Sequence, residues 1–274
     1  MHGRVLVVAG SDSGGGAGIQ ADIKTIAALD AYAMTALTAL TAQDTHGVQA
    51  VHPVPADFVR RQMELALADI GADAVKTGML VDAPMIAAVA AVLAARAPDI
   101  PLVIDPVMVA KGGASLLAAD GIAELKRSLL PLAAVLTPNV PEAEVLAGLR
   151  IADRNGMIEA ARVLRTLGVP AVLLKGGHLP GETVMDVLAT ENGVETFESP
   201  RVVTRHTHGT GCTLASAVAA GLAQRLTLRD AVRRAHAFVA AAIASAPELG
   251  GGHGPLNHGI TLDPDRIAAL LGPR

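Results

Sequence analysis

Short aliphatic and β-branched runs alternate along the chain with longer amphipathic segments rich in alanine. That alternation predicts βαβ units arranged around a mostly parallel sheet. Strands are expected at Val5–Ala9, Ala33–Thr41, Ala74–Thr77, Leu102–Asp105, Val135–Thr137 and Ala171–Lys175. Thr183–Leu188 and Val194–Glu198 flank a turn containing Asn192-Gly193, which reads as an antiparallel hairpin. Helices are expected over Gly18–Leu29, Ala56–Asp69, Pro84–Arg96, Asp120–Leu129, Pro141–Ala147, Asn155–Leu167, Gly211–Gln224 and Leu228–Ser245. Thr227, with Asp230 three residues on, resembles a capping box for the last of these. Gly250–Gly254 reads as a mobile loop, and the tail from Asp263 as one more short helix. No repeat or linker divides the chain, so one domain over residues 1–274 is expected.

Composition narrows this picture. Hydrophobic residues make up 51% and aromatics 1%, so the core must be built from Ala, Val, Leu and Ile. A net charge of −4 gives no basic footprint for nucleic acid. Apolar stretches such as Ile86–Ala95 fall short of a bilayer span, and Val5–Ala9 is too short for a signal peptide. One cysteine permits no internal disulfide, which fits a reducing compartment. The expectation is a cytoplasmic protein whose partners are neither nucleic acid nor membrane.

The densest chemistry lies in Thr207-His208-Gly209-Thr210-Gly211-Cys212-Thr213, which runs into an alanine-rich helix. Glycine and small hydroxyl residues leave backbone N–H groups uncovered, and a helix N-terminus favours anions. The same field is expected to stabilise a thiolate at Cys212. A phosphate cradle holding a proton acceptor points to phosphoryl transfer. Lysine is scarce, yet Lys76, Lys111 and Lys175 all stand beside glycine turns, where compact ammonium groups suit phosphate oxygens. Chance placement is the plain alternative.

Other polar residues gather where the strands end, the usual place for a ligand in an open α/β sheet. Gly10–Gly18 opens a helix directly after a strand but lacks G-x-G-x-x-G spacing, and no Gly-Lys-Ser/Thr marks a Walker loop. Its crowded glycines suit close backbone approach to a ligand better than plain turn geometry. Gln43 ends a strand and would cap it, or would match the paired N and NH₂ edge of an aminopyrimidine. Asp22, near a helix start, would ordinarily pair with the dipole. Asn139 and Glu142 either cap a helix or organise Mg²⁺ through waters. Asp105 is a second magnesium-side carboxylate, or a strand-end turn before Pro106. His206, His208 and Cys212 lack a fourth ligand for zinc. His46, His52, His178 and His236 read as surface or structural histidines.

Taken together these segments resemble the hydroxymethylpyrimidine/phosphomethylpyrimidine kinases of thiamine biosynthesis, a branch of the ribokinase-like superfamily. The resemblance rests on Ala9–Asp12 with Gly14–Asp22, Thr35–Gln43, Lys76–Leu80, Asp105–Met108, Thr137–Glu142, Lys175–His178 and His208–Ala217, seven motifs in family order. It implies a ribokinase-like three-layer α/β/α fold with a mostly parallel sheet and a small β-hairpin. It also implies an acceptor pocket of Gly10, Ala17, Asp22, Gln43, Met79 and Val107. Thr137, Asn139, Glu142 and Lys175 would serve ATP, with Asp105 and Glu142 on the Mg²⁺ side. Gly209, Thr210, Gly211 and Cys212 would form the anion hole, Cys212 aiding transfer to the alcohol as base and Lys175 assisting. His206 departs from the family's Asn. A homodimer is expected by the same resemblance. The competing readings are a pyridoxal/pyridoxine kinase, a sugar kinase, a non-catalytic pyrimidine-binding protein and a cysteine hydrolase. Gln43 and the apolar Met79 and Val107 favour the aminopyrimidine.

Overall fold

The computed structural model of the protein describes residues 1–109, 113, 116–263 and 265. Nine strands form one sheet: β1 Arg4–Asp12, β2 Tyr32–Gln43, β3 Val48–Pro53, β4 Ala74–Thr77, β5 Leu102–Ile104, β6 Val135–Leu136, β7 Val172–Leu174, β8 Thr183–Thr190 and β9 Gly193–Pro200. Their order is β3-β2-β1-β4-β5-β6-β7-β8-β9. The run from β2 to β7 is parallel throughout, whereas β3, β8 and β9 pair antiparallel at the two edges.

Alternation within β1 sets the layers. Leu6 and Val8 face one core with residues of α2 Ala56–Asp69, α3 Ala83–Arg96, α5 Val140–Ala147 and α6 Arg154–Arg165. Val5, Val7 and Ala9 face the other, with α1 Gly18–Ala28, α7 Thr210–Ala223 and α8 Leu228–Ala244. Because both faces are covered, the central strands are apolar on each side. The result is the expected ribokinase-like three-layer α/β/α sandwich.

Most expected elements are present with ends moved by a residue or two. β3 is an addition. Its sequence VQAVHP is exposed at nearly every position, so no buried face leaves an alternating pattern to read. The segment expected as one helix over Asp120–Leu129 divides into α4 Ala119–Glu124 and a π-helical turn, Leu125–Leu129. A 3₁₀ turn with Pro131 follows at Leu130–Leu132, since proline cannot supply the next N–H. Gly250–Gly254 is tied down rather than loose. Gly252 N–H donates to Thr45 Oγ1 at 3.1 Å, His253 N–H to Thr45 O at 2.7 Å, and Gly254 O accepts from His208 N–H at 3.1 Å. Lys111 and most of the expected tail helix lie outside the described residues.

Cores built from alanine bring backbones close. A Cβ on Gly221 of α7 would stand 2.6 Å from Ala231 Cβ of α8. Gly221→Ala gains up to about 1 kcal/mol of helix propensity but overpacks this crossing, which typically costs about 1–3 kcal/mol. Urea unfolding should therefore show net destabilisation. An unchanged or higher midpoint would mean that α8 moves aside freely.

Candidate active site

The carboxyl ends of β1, β4, β5 and β7 and the N-termini of α1, α5 and α7 converge on one cleft of about 940 Å³. Gly209 caps α7 in a left-handed conformation, φ 84°, with no side chain closing the helix end. A Cβ there would collide with the Gly16 carbonyl oxygen, so only glycine lets this helix start press against the first turn. Among the described residues, no protein acceptor takes the amides of Gly211 and Cys212. The α7 terminus therefore opens to the cleft with donors and a positive dipole end free.

Charged groups flank this opening. Lys175 Nζ lies 2.8 Å from Asp105 Oδ1, and a Cβ on Gly211 would be 3.1 Å from the same nitrogen. Burial disfavours the ammonium form, but Asp105 and Glu142 outweigh it and hold the Lys175 pKa above its ordinary value. Glu142 Oε2 accepts from Asn139 N–H at 2.8 Å, and Asn139 Oδ1 accepts from Glu142 N–H at 2.9 Å. Asn139 and Glu142 thus form a complete capping box while both still line the cleft. Burial and the neighbouring Asp105 raise the Glu142 pKa to about 7 against the pull of Lys175.

The Cys212 thiol opens on the cleft floor beside Gly18. The expected resting thiolate does not form. Burial pushes the pKa up to about 12, Asp22 and Asp105 add to the rise, and Lys76 opposes it. Dry surroundings and nearby carboxylates overcome the helix field. Cys212 therefore keeps its proton at neutral pH.

The structure brings Gly10, Ala17, Gln43, Met79, Val107, Asp105, Asn139, Glu142, Lys175, Gly209, Thr210, Gly211 and Cys212 onto the cleft wall. Two expected residues stand apart from it. Asp22 is wholly buried behind Lys76, whose Nζ lies 2.9 and 3.0 Å from its two oxygens, and Ser216 Oγ donates to it at 2.7 Å. With its acceptors engaged by protein, Asp22 holds a lysine rather than a ligand. Lys76 itself reaches the cleft lining. Burial opposes its charge, but Asp22 prevails and keeps it protonated. Thr137 turns its hydroxyl into the sheet, donating to Ile104 O at 3.3 Å, and is fully buried.

Sequence reasoning missed the far half of the cleft. Asp186, Val202, Val203, Val239, Ala240 and Ile243 line it, and His236, expected at the surface or in a structural role, lies there 3.9 Å from Asp186 Oδ2. Asp186 Oδ1 accepts from Gly176 N–H at 2.9 Å, which fixes the backbone just after Lys175. The usable signal was the polar Asp186 amid the apolar run Val184–Ala189. His178 lies on the exposed rim, while His46 and His52 are exposed as expected.

Asp105 and Glu142 present hard carboxylate oxygens beside the bare amides, a donor set suited to Mg²⁺ held partly through water. Lys175 is the ammonium set against Asp105 and Glu142 there, and a divalent cation beside them would favour the ionised form of Glu142.

Residues 12–257 match the family model described as phosphomethylpyrimidine kinase. The chain is 48% identical to the hydroxymethylpyrimidine/phosphomethylpyrimidine kinase of Streptomyces coelicolor, over 94% of this chain and 95% of that one. It is 53% identical to the thiamine biosynthesis bifunctional protein ThiED of Geobacter sulfurreducens over 94% of this chain, and spans about half (52%) of that longer protein. The solved ADP complex of Bacillus subtilis pyridoxal kinase superposes with a TM-score of 0.89 at 39% identity, covering 96% of this chain and all of that one (100%).

Lys76→Met should expose the cost of the buried pair. Leaving Asp22 unpaired typically costs about 3–5 kcal/mol, whereas Lys76→Met/Asp22→Leu should recover most of it. Denaturant titration of both variants checks this. A double variant as unstable as the sum of the singles would show that the pair does not act as a unit.

Proposed function

The chain belongs to the phosphomethylpyrimidine kinase family, and we infer that it moves the γ-phosphoryl group of ATP onto 4-amino-5-hydroxymethyl-2-methylpyrimidine and then onto the monophosphate, giving the diphosphate. The carrying observation is a single cleft that joins an amide-bearing apolar pocket to a bare helix N-terminus flanked by Lys175. At one end, Gln43 offers a donor and an acceptor while Met79 and Val107 give flat apolar walls, which suits an aminopyrimidine ring. At the other, Asn139, Glu142 and Lys175 face the polyphosphate, and the half lined by Val203, Val239 and Ile243 takes the base.

Phosphoryl transfer depends mainly on alignment and charge neutralisation. The free amides of Gly211 and Cys212 and the Lys175 ammonium receive the moving group's oxygens. Asp105 and Glu142 would hold Mg²⁺, which supplies further neutralisation when bound. Cys212 stands beside the pocket where the hydroxymethyl oxygen must lie. A monophosphate brings an ionised nucleophile of its own, whereas the alcohol must lose a proton, so Cys212 acts as base in the first transfer alone. Because the thiol is protonated at rest, that role requires it to ionise first.

The likeness to a pyridoxal kinase keeps a pyridoxal/pyridoxine kinase as the second reading. The enzyme works in the cytoplasm as a homodimer. The single cysteine supports the first, and the open edge of β3 offers a surface for the second. Among the described residues no helix is long and apolar enough to cross a membrane.

Mass spectrometry of products from ATP, Mg²⁺ and the hydroxymethylpyrimidine should show monophosphate forming first and diphosphate following. Phosphate appearing on pyridoxal alone would favour the second reading. In single-turnover assays the first transfer should quicken as pH rises toward the raised thiol pKa, because only the ionised form accepts a proton. Cys212→Ser should slow that transfer by about 10²-fold or more and leave the second within a few-fold. Equal losses in both transfers would contradict a selective base.

A further inference from the structure

Gln43 is held by two protein groups before any ligand arrives. Its side-chain nitrogen faces His208 Nε2 at 3.1 Å, and its oxygen faces Thr41 Oγ1 at 3.2 Å. The two ends of an amide are alike in shape, and the hydrogens decide between them. Thr41 has one hydroxyl proton, and the Ser11 carbonyl oxygen, which can only accept, takes it at 2.8 Å. A Gln43 oxygen at 3.2 Å would receive only the weaker share of that proton, whereas a Gln43 NH₂ would find the Thr41 lone pairs.

The same count applies at His208. Its Nε2 lies 2.9 Å from Asp12 Oδ2, which also accepts from Gly16 N–H at 3.0 Å and Ala17 N–H at 2.8 Å, while Oδ1 accepts from Gly14 N–H at 2.8 Å. Burial works against this carboxylate, but His208 and Ala17 outweigh it and keep the Asp12 pKa below its ordinary value. An ionised Asp12 has no proton to give, so His208 Nε2 carries one. That nitrogen then has no lone pair for a Gln43 NH₂, and its one N–H, given to Asp12 at 2.9 Å and shared with Gln43 at 3.1 Å as a three-centre bond, is satisfied at Gln43 only by an oxygen. The imidazole cannot swing away. It is nine-tenths buried, and a Cβ on Gly16 would stand 2.6 Å from its Cδ2.

We propose that Asp12, His208 and Thr41 are positioning residues that lock the Gln43 amide with its oxygen toward His208 and its NH₂ toward Thr41, and that this lock sets the preference for a ring carrying the aminopyrimidine edge. The inference rests on the reading of Gln43 as the pyrimidine contact. Locked this way, Gln43 keeps one N–H and one oxygen lone pair for the cleft. Without the lock the amide turns freely and presents either end. His208 immediately precedes Gly209, so the residue that orients the ring reader also leads into the anion hole.

Calorimetry with the aminopyrimidine alcohol and with the same ring lacking its amino group measures the preference as a ratio of dissociation constants. His208→Leu and Thr41→Val should each shrink that ratio tenfold or more. His208→Gln, whose amide nitrogen reaches close to the Nε2 position, should restore most of it. Thr41→Val lies away from the anion hole and keeps the test open should His208→Leu fail to fold. Long-range ¹H–¹⁵N spectra of the wild-type enzyme should show a proton on His208 Nε2. An unprotonated Nε2, or an undiminished ratio in both His208→Leu and Thr41→Val while Gln43→Ala loses it, overturns the lock and leaves the pyrimidine reading standing. A ratio unaffected even by Gln43→Ala removes that reading, and the lock with it.

Discussion

The close approach of two backbone turns governs the rest of this molecule. The segment entering α7 lies against the turn after β1 so tightly that neither Gly16 nor Gly209 has room for a side chain. That contact sets the free amides of α7 across from the pocket formed by Gly10, Ala17 and Gln43. Asp12 reinforces it, since one carboxylate gathers three backbone amides of its own turn and the His208 imidazole from the other. Removing such an acceptor would orphan several buried donors at once, each costing about 1–3 kcal/mol. The parallel sheet and its two alanine-rich layers serve to bring these turns together.

The second constraint is electrostatic. Three carboxylates and two ammonium groups share a dry floor around one thiol, and each shifts its neighbours. The raised Glu142 and Cys212 pKa values have a common origin in burial, with Asp105 adding to both. A cation brought beside Asp105 would lower both. Lys76 and Lys175 have distinct surroundings although both stand near glycine turns. Lys76 balances a buried acid next to the thiol, while Lys175 stands at the helix mouth beside Asp105.

The architecture was legible because the central strands are buried on both faces, which leaves uninterrupted aliphatic runs between amphipathic helices. β3 was illegible for the converse reason, lying exposed at the edge. Motif reading singled out the start of α7, Lys175, Asp105 and Gln43, which the structure brings to one cleft and whose residue types stand out in the local sequence. It misjudged Asp22 and Thr137, because the direction of a side chain at a strand or helix end depends on partners distant in sequence. For Asp22 those partners are Lys76 and Ser216, and for Thr137 the Ile104 carbonyl. Cys212 was misjudged in charge rather than in place, since desolvation by the surrounding chain leaves no mark in a heptapeptide. The apolar half of the cleft escaped notice because Val202, Val203, Val239 and Ile243 look like any packing residues until β9 and α8 are set side by side.

The decisive measurement is a crystal structure of the enzyme with the pyrimidine alcohol, ADP, Mg²⁺ and aluminium fluoride as a stand-in for the migrating phosphoryl group. The fluoride should rest on the amides of Gly211 and Cys212 with Lys175 Nζ against its edge and the alcohol oxygen in line beside the thiol. A fluoride seated elsewhere in the cleft, with those amides turned to solvent, would contradict the account.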